Sequence, residues 1–174
     1  PPLAKSWQYH GQNDVVCRLI QLSSAPDHIP PSRPTDLIFM RFTKDITVTA
    51  EDPMFLVECI GAHTDLSKSR VKDAMNKGAV WIIRGGSHAR VRRPQYKVDE
   101  GDHIRVCYDE ELIALEASAV RCVQDFKAYS VWFKPAGMST KGTEYGDHTS
   151  LLRLVEKFLK GKQGAFLVHE LSTD

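Results

Sequence analysis

The sequence is poor in the patterns that announce covalent or metal-based chemistry. Four cysteines occur, Cys17, Cys59, Cys107 and Cys122, and none stands in a CxxC pair. No histidine is read as clustering with them. Neither a disulfide framework nor a structural zinc site is therefore expected, and reduced thiols in a cytoplasmic chain are the adopted reading, with a nuclear or organellar location left open. No apolar run approaches the roughly 20 residues that a membrane helix needs. The longest are strand-sized, Leu37 to Met40 and Ala165 to Val168. A secretory leader pattern is missing too, and the chain opens Pro1-Pro2 without methionine, so its true start is read as missing or altered. Gly85-Gly86 lacks the GxGxxG spacing and the helix that cradle a dinucleotide, which leaves it a turn. No histidine–aspartate partners stand where they would turn a serine into a nucleophile.

What the sequence does have is a size for one medium domain or two small ones, 174 residues with 42% hydrophobic content, and a lopsided charge. The net charge of +1 hides a basic stretch from Asp65 to Arg105 that holds ten Lys and Arg against five acids, about +5, while the flanks are about −2 each. A concentrated basic module in an otherwise acidic chain points to a polyanion.

The elements read as follows. Val15 to Leu22 suits a strand or a short helix, and the Pro-rich segment from Ser23 to Pro34 is a loop. Asp36 to Met40 and the β-branched stretch Phe42 to Ala50 read as strands. Met54 to Ile60 is open between a strand and a buried helical turn. Asp65 and Ser67 are both placed to cap a helix over residues 67 to 76 that Gly78 ends. Strands follow at 79–83, 89–93 and 103–108, with turns at Arg84 to Ser87 and Asp99 to Asp102. Asp109 to Val120 is a short helix or a linker. A strand near Tyr129 to Phe133, a helix from Leu151 to Lys160 capped by Thr149 or Ser150, and a strand from Ala165 to His169 complete the chain.

Two groups of residues carry a family resemblance. Ser69-Arg70, Lys77-Gly78-Ala79-Val80 and Val98 through Gly101-Asp102-His103-Ile104 resemble, over about 45 residues, the αL RNA-binding motif of the ribosomal-protein-S-four type. The tail, with Lys134-Pro135-Ala136-Gly137 and Val168-His169-Glu170-Leu171, is similar to the start of the catalytic domain of the RluA-like pseudouridine synthases. The order of the two units is the usual one of that family. The resemblance implies a fold of α+β class, a small αL RNA-binding module plus the opening fragment of a mixed α/β pseudouridine synthase domain. Its expected parts are an N-terminal extension over 1–55, partly strand, the RNA-binding domain over 56–112 and a partial synthase-like domain over 123–174. It implies no cofactor and no metal.

The resemblance breaks where the chemistry would sit. Ser172 falls on the family's catalytic aspartate and Glu170 on its arginine, and Asp174 reaches the position only after a two-residue slip. Uridine isomerisation needs a carboxylate beside a nucleotide flipped into a pocket, and an unactivated serine hydroxyl does not replace it. No catalytic residue is therefore assigned. The expectation is a protein that binds structured RNA, ribosomal or transfer RNA, through Lys68, Arg70, Lys72, Lys77, Arg84, Arg90, Arg92 and Arg93, meeting phosphates rather than reading bases. Trp81 and Tyr96 are read first as core and second as stacking surfaces. Lys134, Pro135, Gly137, His169 and Leu171 are family-motif positions with structural roles. Two other readings stand beside this one: an RNA uridine isomerase of which the chain is a fragment, and a non-enzymatic protein-interaction module.

Overall fold

The computed structural model describes residues 15–20, 39–126, 128–160 and 164–171. Their elements, in chain order, are β1 (Val15–Ile20), β2 (Arg41–Thr47), α1 (Leu56–His63), α2 (Lys68–Lys77), β3 (Val80–Arg84), β4 (Ser87–Arg90), β5 (His103–Asp109), α3 (Glu110–Ala114), β6 (Arg121–Asp125), β7 (Tyr129–Phe133), α4 (Leu151–Phe158) and β8 (Ala165–Leu167). They form a mixed α+β structure with two four-stranded sheets, ordered β2-β5-β3-β4 and β6-β7-β1-β8. Among the described residues no helix is long and apolar enough to cross a membrane.

The first sheet is antiparallel throughout. β2 pairs with β5 along its whole length, from Arg41 opposite Asp109 to Thr47 opposite His103, and β3 joins the other side of β5. β3 turns back into β4 through Gly85 and Gly86, both at positive φ, as a two-residue hairpin turn of the right twist requires. α1 and α2 lie over this sheet. Of Met54 to Ile60, residues 56–60 become helical because Leu56, Val57, Cys59 and Ile60 then bury one continuous face, whereas strand alternation would put half of them in water; Phe55 instead bridges to Lys97. α2 adds Val71, Ala74 and Met75 to the same core, together with Val80, Ile82, Ile104 and Val106 from the strands.

The second sheet is mixed. β1 is its parallel centre, between β7 and β8, and β6 pairs antiparallel with β7. α4 packs Leu151 and Val155 against Trp132, Met138 and Ala165 in a second core, and the Phe158 ring meets Trp132 edge-on with centroids 5.0 Å apart. Burial of one apolar stripe explains why residues 151–158 form a helix.

The expected N-terminal extension is shared between the two sheets. β1 supplies the middle of the second and β2 an edge of the first, so the strands of residues 41–109 form one module that begins before position 56. Phe39 and Met40 precede β2 without joining a strand, and residues 36–38 lie outside the described residues. β4 ends at Arg90 rather than Arg93, since after Val91 donates to the Val80 carbonyl the chain turns away before Pro94, which has no N–H to continue a ladder. β6 has no counterpart in the sequence reading, because its exposed, half-polar sequence RCVQD carries no clear alternation.

Candidate nucleic-acid interface

α2 is set by its ends. Ser67 Oγ accepts from the Arg70 N–H at 3.3 Å, and Gly78, at φ +86°, donates its N–H to the Met75 carbonyl while Ala79 N–H reaches the Ala74 carbonyl. This is the left-handed helix stop that glycine favours. Of the two caps proposed, Ser67 is the one used. The helix then carries Lys68 and Lys72 one turn apart on its exposed face, with no acid in its first turn.

Each expected RNA-binding cation has a definite place. Lys68 pairs with Glu58 at 2.9 Å and Arg70 with Glu110 at 2.8 Å, both at the surface. Lys77 is partly buried between Asp73 and the Ile113 carbonyl. Arg84 forks onto Asp102 through Nε and Nη2, at 2.7 and 2.5 Å. That charge-assisted pair raises the Arg84 pKa and holds the Asp102 carboxyl below its usual range. Lys72 and Arg93 are exposed and make no ion pair among the described residues.

Arg90 and Arg92 are drawn inward. The loop between β7 and α4 lies over the β3–β4 end of the first sheet and brings Asp147 between them. Arg92 Nη2 donates to Asp147 Oδ2 at 2.5 Å, and Arg90 Nε stands 3.5 Å from the same oxygen. Arg90 also donates to the Gly78 and Thr143 carbonyls, and Arg92 to the Asn76 carbonyl. Burial lowers the Arg90 pKa, and Asp147 opposes that shift. The same loop donates Asp147 N–H to the Lys77 carbonyl, accepts Trp81 Nε1–H at the Glu144 carbonyl and sets Tyr145 Oη 3.1 Å from Thr43 Oγ1. The two sheets are thus clasped by residues 139–148. Trp81 is half-buried and carries the Arg90 guanidinium on its ring, 4.1 Å from the centroid, so that face is not open to a base. Tyr96 packs against the first core.

The positions of the tail motif serve the loop. Lys134 is fully buried, and its Nζ donates to the Met138 carbonyl at 2.9 Å and the Pro135 carbonyl at 3.4 Å, closing the turn in which Gly137 takes φ +77°. Pro135 stands at the mouth of that turn. The Leu171 carbonyl accepts from Thr140 Oγ1 at 2.8 Å, and its side chain meets the second core. His169 is exposed, and Glu170 pairs with Lys141. Ser172 and Asp174 lie outside the described residues.

Two groupings escaped the sequence reading. Asp147 is 55 residues from Arg92, and nothing local announces the contact. Asp52, Cys59 and His63 bring their ligand atoms within 4.8 Å of one another. Here a signal was present, since Cys59 and His63 stand four apart in what proves to be a helix. No protein-family model matches the chain, and a search of curated proteins finds no match.

Proposed function

We propose that the chain binds structured RNA, of the ribosomal or transfer class, through the exposed cations of α2 and Arg93. On this reading the first sheet and its two helices are an αL-type module, and the second sheet is the opening of a pseudouridine-synthase-like unit that assigns the chain binding rather than isomerisation. The observation that carries it is the exposed face of α2, where Lys68 and Lys72 stand one turn apart and Lys72 has no ion pair among the described residues. Such a like-charge pair is mildly unfavourable by itself and becomes favourable under a phosphate backbone. Lys68 and Arg70 join readily, because exposed ion pairs are worth only about 0–1 kcal/mol and exchange for phosphate at little loss. Arg93 is exposed and follows Arg92, whose guanidinium reaches the Asn76 carbonyl at the C-terminal end of α2. Arg90 and Arg92 themselves serve the clasp.

The test is binding of a labelled transfer RNA at about 50 and 200 mM salt. Lys68→Glu, Lys72→Glu and Arg93→Glu together remove three phosphate contacts. The slope of log K against log salt then becomes shallower by about 2 to 3. An unchanged affinity and slope would overturn the reading.

A further inference from the structure

We propose that Asp52, Cys59 and His63 form a binding site for a single zinc-class divalent cation, which ties the turn before α1 to the helix itself. The helix supplies two donors at the spacing that places them over one another, Cys59 and His63 at i and i+4. The turn supplies the third. Thr49 holds Asp52 in place, donating both its N–H and its hydroxyl to Oδ2 at 2.8 and 2.9 Å, and this leaves Oδ1 to face His63 Nε2 at 2.7 Å. A carboxylate whose far oxygen is anchored by backbone and hydroxyl is the outer support that metal-binding carboxylates commonly have.

The donor set chooses the metal. A thiolate, an imidazole and a carboxylate suit Zn²⁺ or Co²⁺, while Mg²⁺ and Ca²⁺ take oxygen alone. Tetrahedral bonds of about 2.0 to 2.3 Å set donor–donor separations of about 3.3 to 3.6 Å. From the present arrangement, the Asp52–His63 contact opens by about half an ångström, and any longer edge, up to 4.8 Å, contracts by about one. Side-chain torsions supply both movements. His63 also lines an open groove of about 490 Å³, which gives water a way to the fourth position.

In the metal-free state the Cys59 thiol is buried in the first core. His63 Nε2–H donates to Asp52. When the cation enters, the thiol proton is released to solvent and the imidazole hydrogen moves from Nε2 to Nδ1. One proton leaves per metal bound.

The experiment uses the whole chain freed of metal and titrated with Co²⁺. Binding of one equivalent is expected, with a sulfur-to-cobalt charge-transfer band and tetrahedral ligand-field bands that Zn²⁺ abolishes by displacement. Cys59→Ser removes the charge-transfer band, and Cys122→Ser, in the other sheet, leaves it. Because Cys59 is buried, His63→Gln provides the test that does not disturb the core: it weakens Co²⁺ binding at least tenfold. Absence of a charge-transfer band at saturating Co²⁺, or unchanged affinity in His63→Gln, would overturn the site.

Discussion

Replacing Asp147 by alanine removes the one anion among the described residues that faces both Arg90 and Arg92. The side chains of the three residues are 12%, 17% and 22% exposed, so the two guanidinium groups stay largely out of water when their counter-charge is gone. Breaking a buried pair by deleting one partner costs about 3–5 kcal/mol. The residual exposure of both arginines, and the carbonyls of Gly78, Asn76 and Thr143 that still accept from them, place this case at the lower end, about 3 kcal/mol. For a chain of this length that is a fall in Tm of about 6 to 12 °C. Asp147→Asn keeps the shape and one acceptor oxygen, and loses about half as much. Urea unfolding of wild type and both variants measures it, and a double-mutant cycle with Arg92→Ala isolates the pair. A loss under about 0.5 kcal/mol in Asp147→Ala, with m unchanged, would show that the clasp holds by its backbone contacts alone and refute the electrostatic account.

Gly78→Ala places a Cβ 2.6 Å from Arg92 Nη1 and 2.7 Å from Asp147 Oδ1 at a φ of +86°, so it is expected to lose about 2–3 kcal/mol in the same assay, whereas Gly85→Ala, with open space around it, loses only about 1 kcal/mol of backbone strain. His148 is buried and donates Nε2–H to the Leu115 carbonyl, while Nδ1 has no partner among the described residues. Burial lowers its pKa most, against the hydrogen bond to the Leu115 carbonyl, and the nearby Lys77 and Lys157 lower it further against Asp147. The unfolded chain therefore binds this proton more readily than the folded one, so the contribution of His148 to stability is present above the ordinary histidine pKa and is lost as pH falls below it. Wild type should lose more stability between pH 7.5 and 5.5 than His148→Asn, and equal losses would contradict this.

Local signals were strong enough to be read directly. Ser67 and Gly78 bracket α2 because one side chain and one left-handed residue suffice to start and stop a helix. Gly85-Gly86 made its hairpin for the same local reason. Met54 to Ile60 was ambiguous because a short apolar run fits either period until a sheet is there to pack against. The site was less legible than the fold. Its helix face, Lys68 and Lys72, followed from spacing. The fates of Arg90 and Arg92 did not, since they depend on a loop more than 50 residues away. Asp52 with Cys59 and His63 was not legible because four-residue spacing brings Cys59 and His63 together only once residues 56–63 are a helix, and Asp52 joins them from the turn before it.

The charge of the basic stretch shows why composition alone misjudges an interface. Read along the chain, residues 65–105 carry about +5 and both flanks are acidic. Folding imports four of the flanking carboxylates: Asp45 onto Arg105, Glu58 onto Lys68, Glu110 onto Arg70 and Asp147 between Arg90 and Arg92. The local excess falls to about +1, so the field offered to a polyanion is much weaker than the sequence suggests. What remains is unevenly distributed. The pairs of Lys68 and Arg70 are exposed and loosely held, and a phosphate exchanges with them at little loss. The arginines on Asp147 are mostly buried, and pulling either outward would break its own ion pair with the carboxylate, while only the loss of both would strand Asp147 in the clasp. On the proposed reading, an RNA at this surface would gain its counterion release from α2 and Arg93, with the clasp closed beneath it.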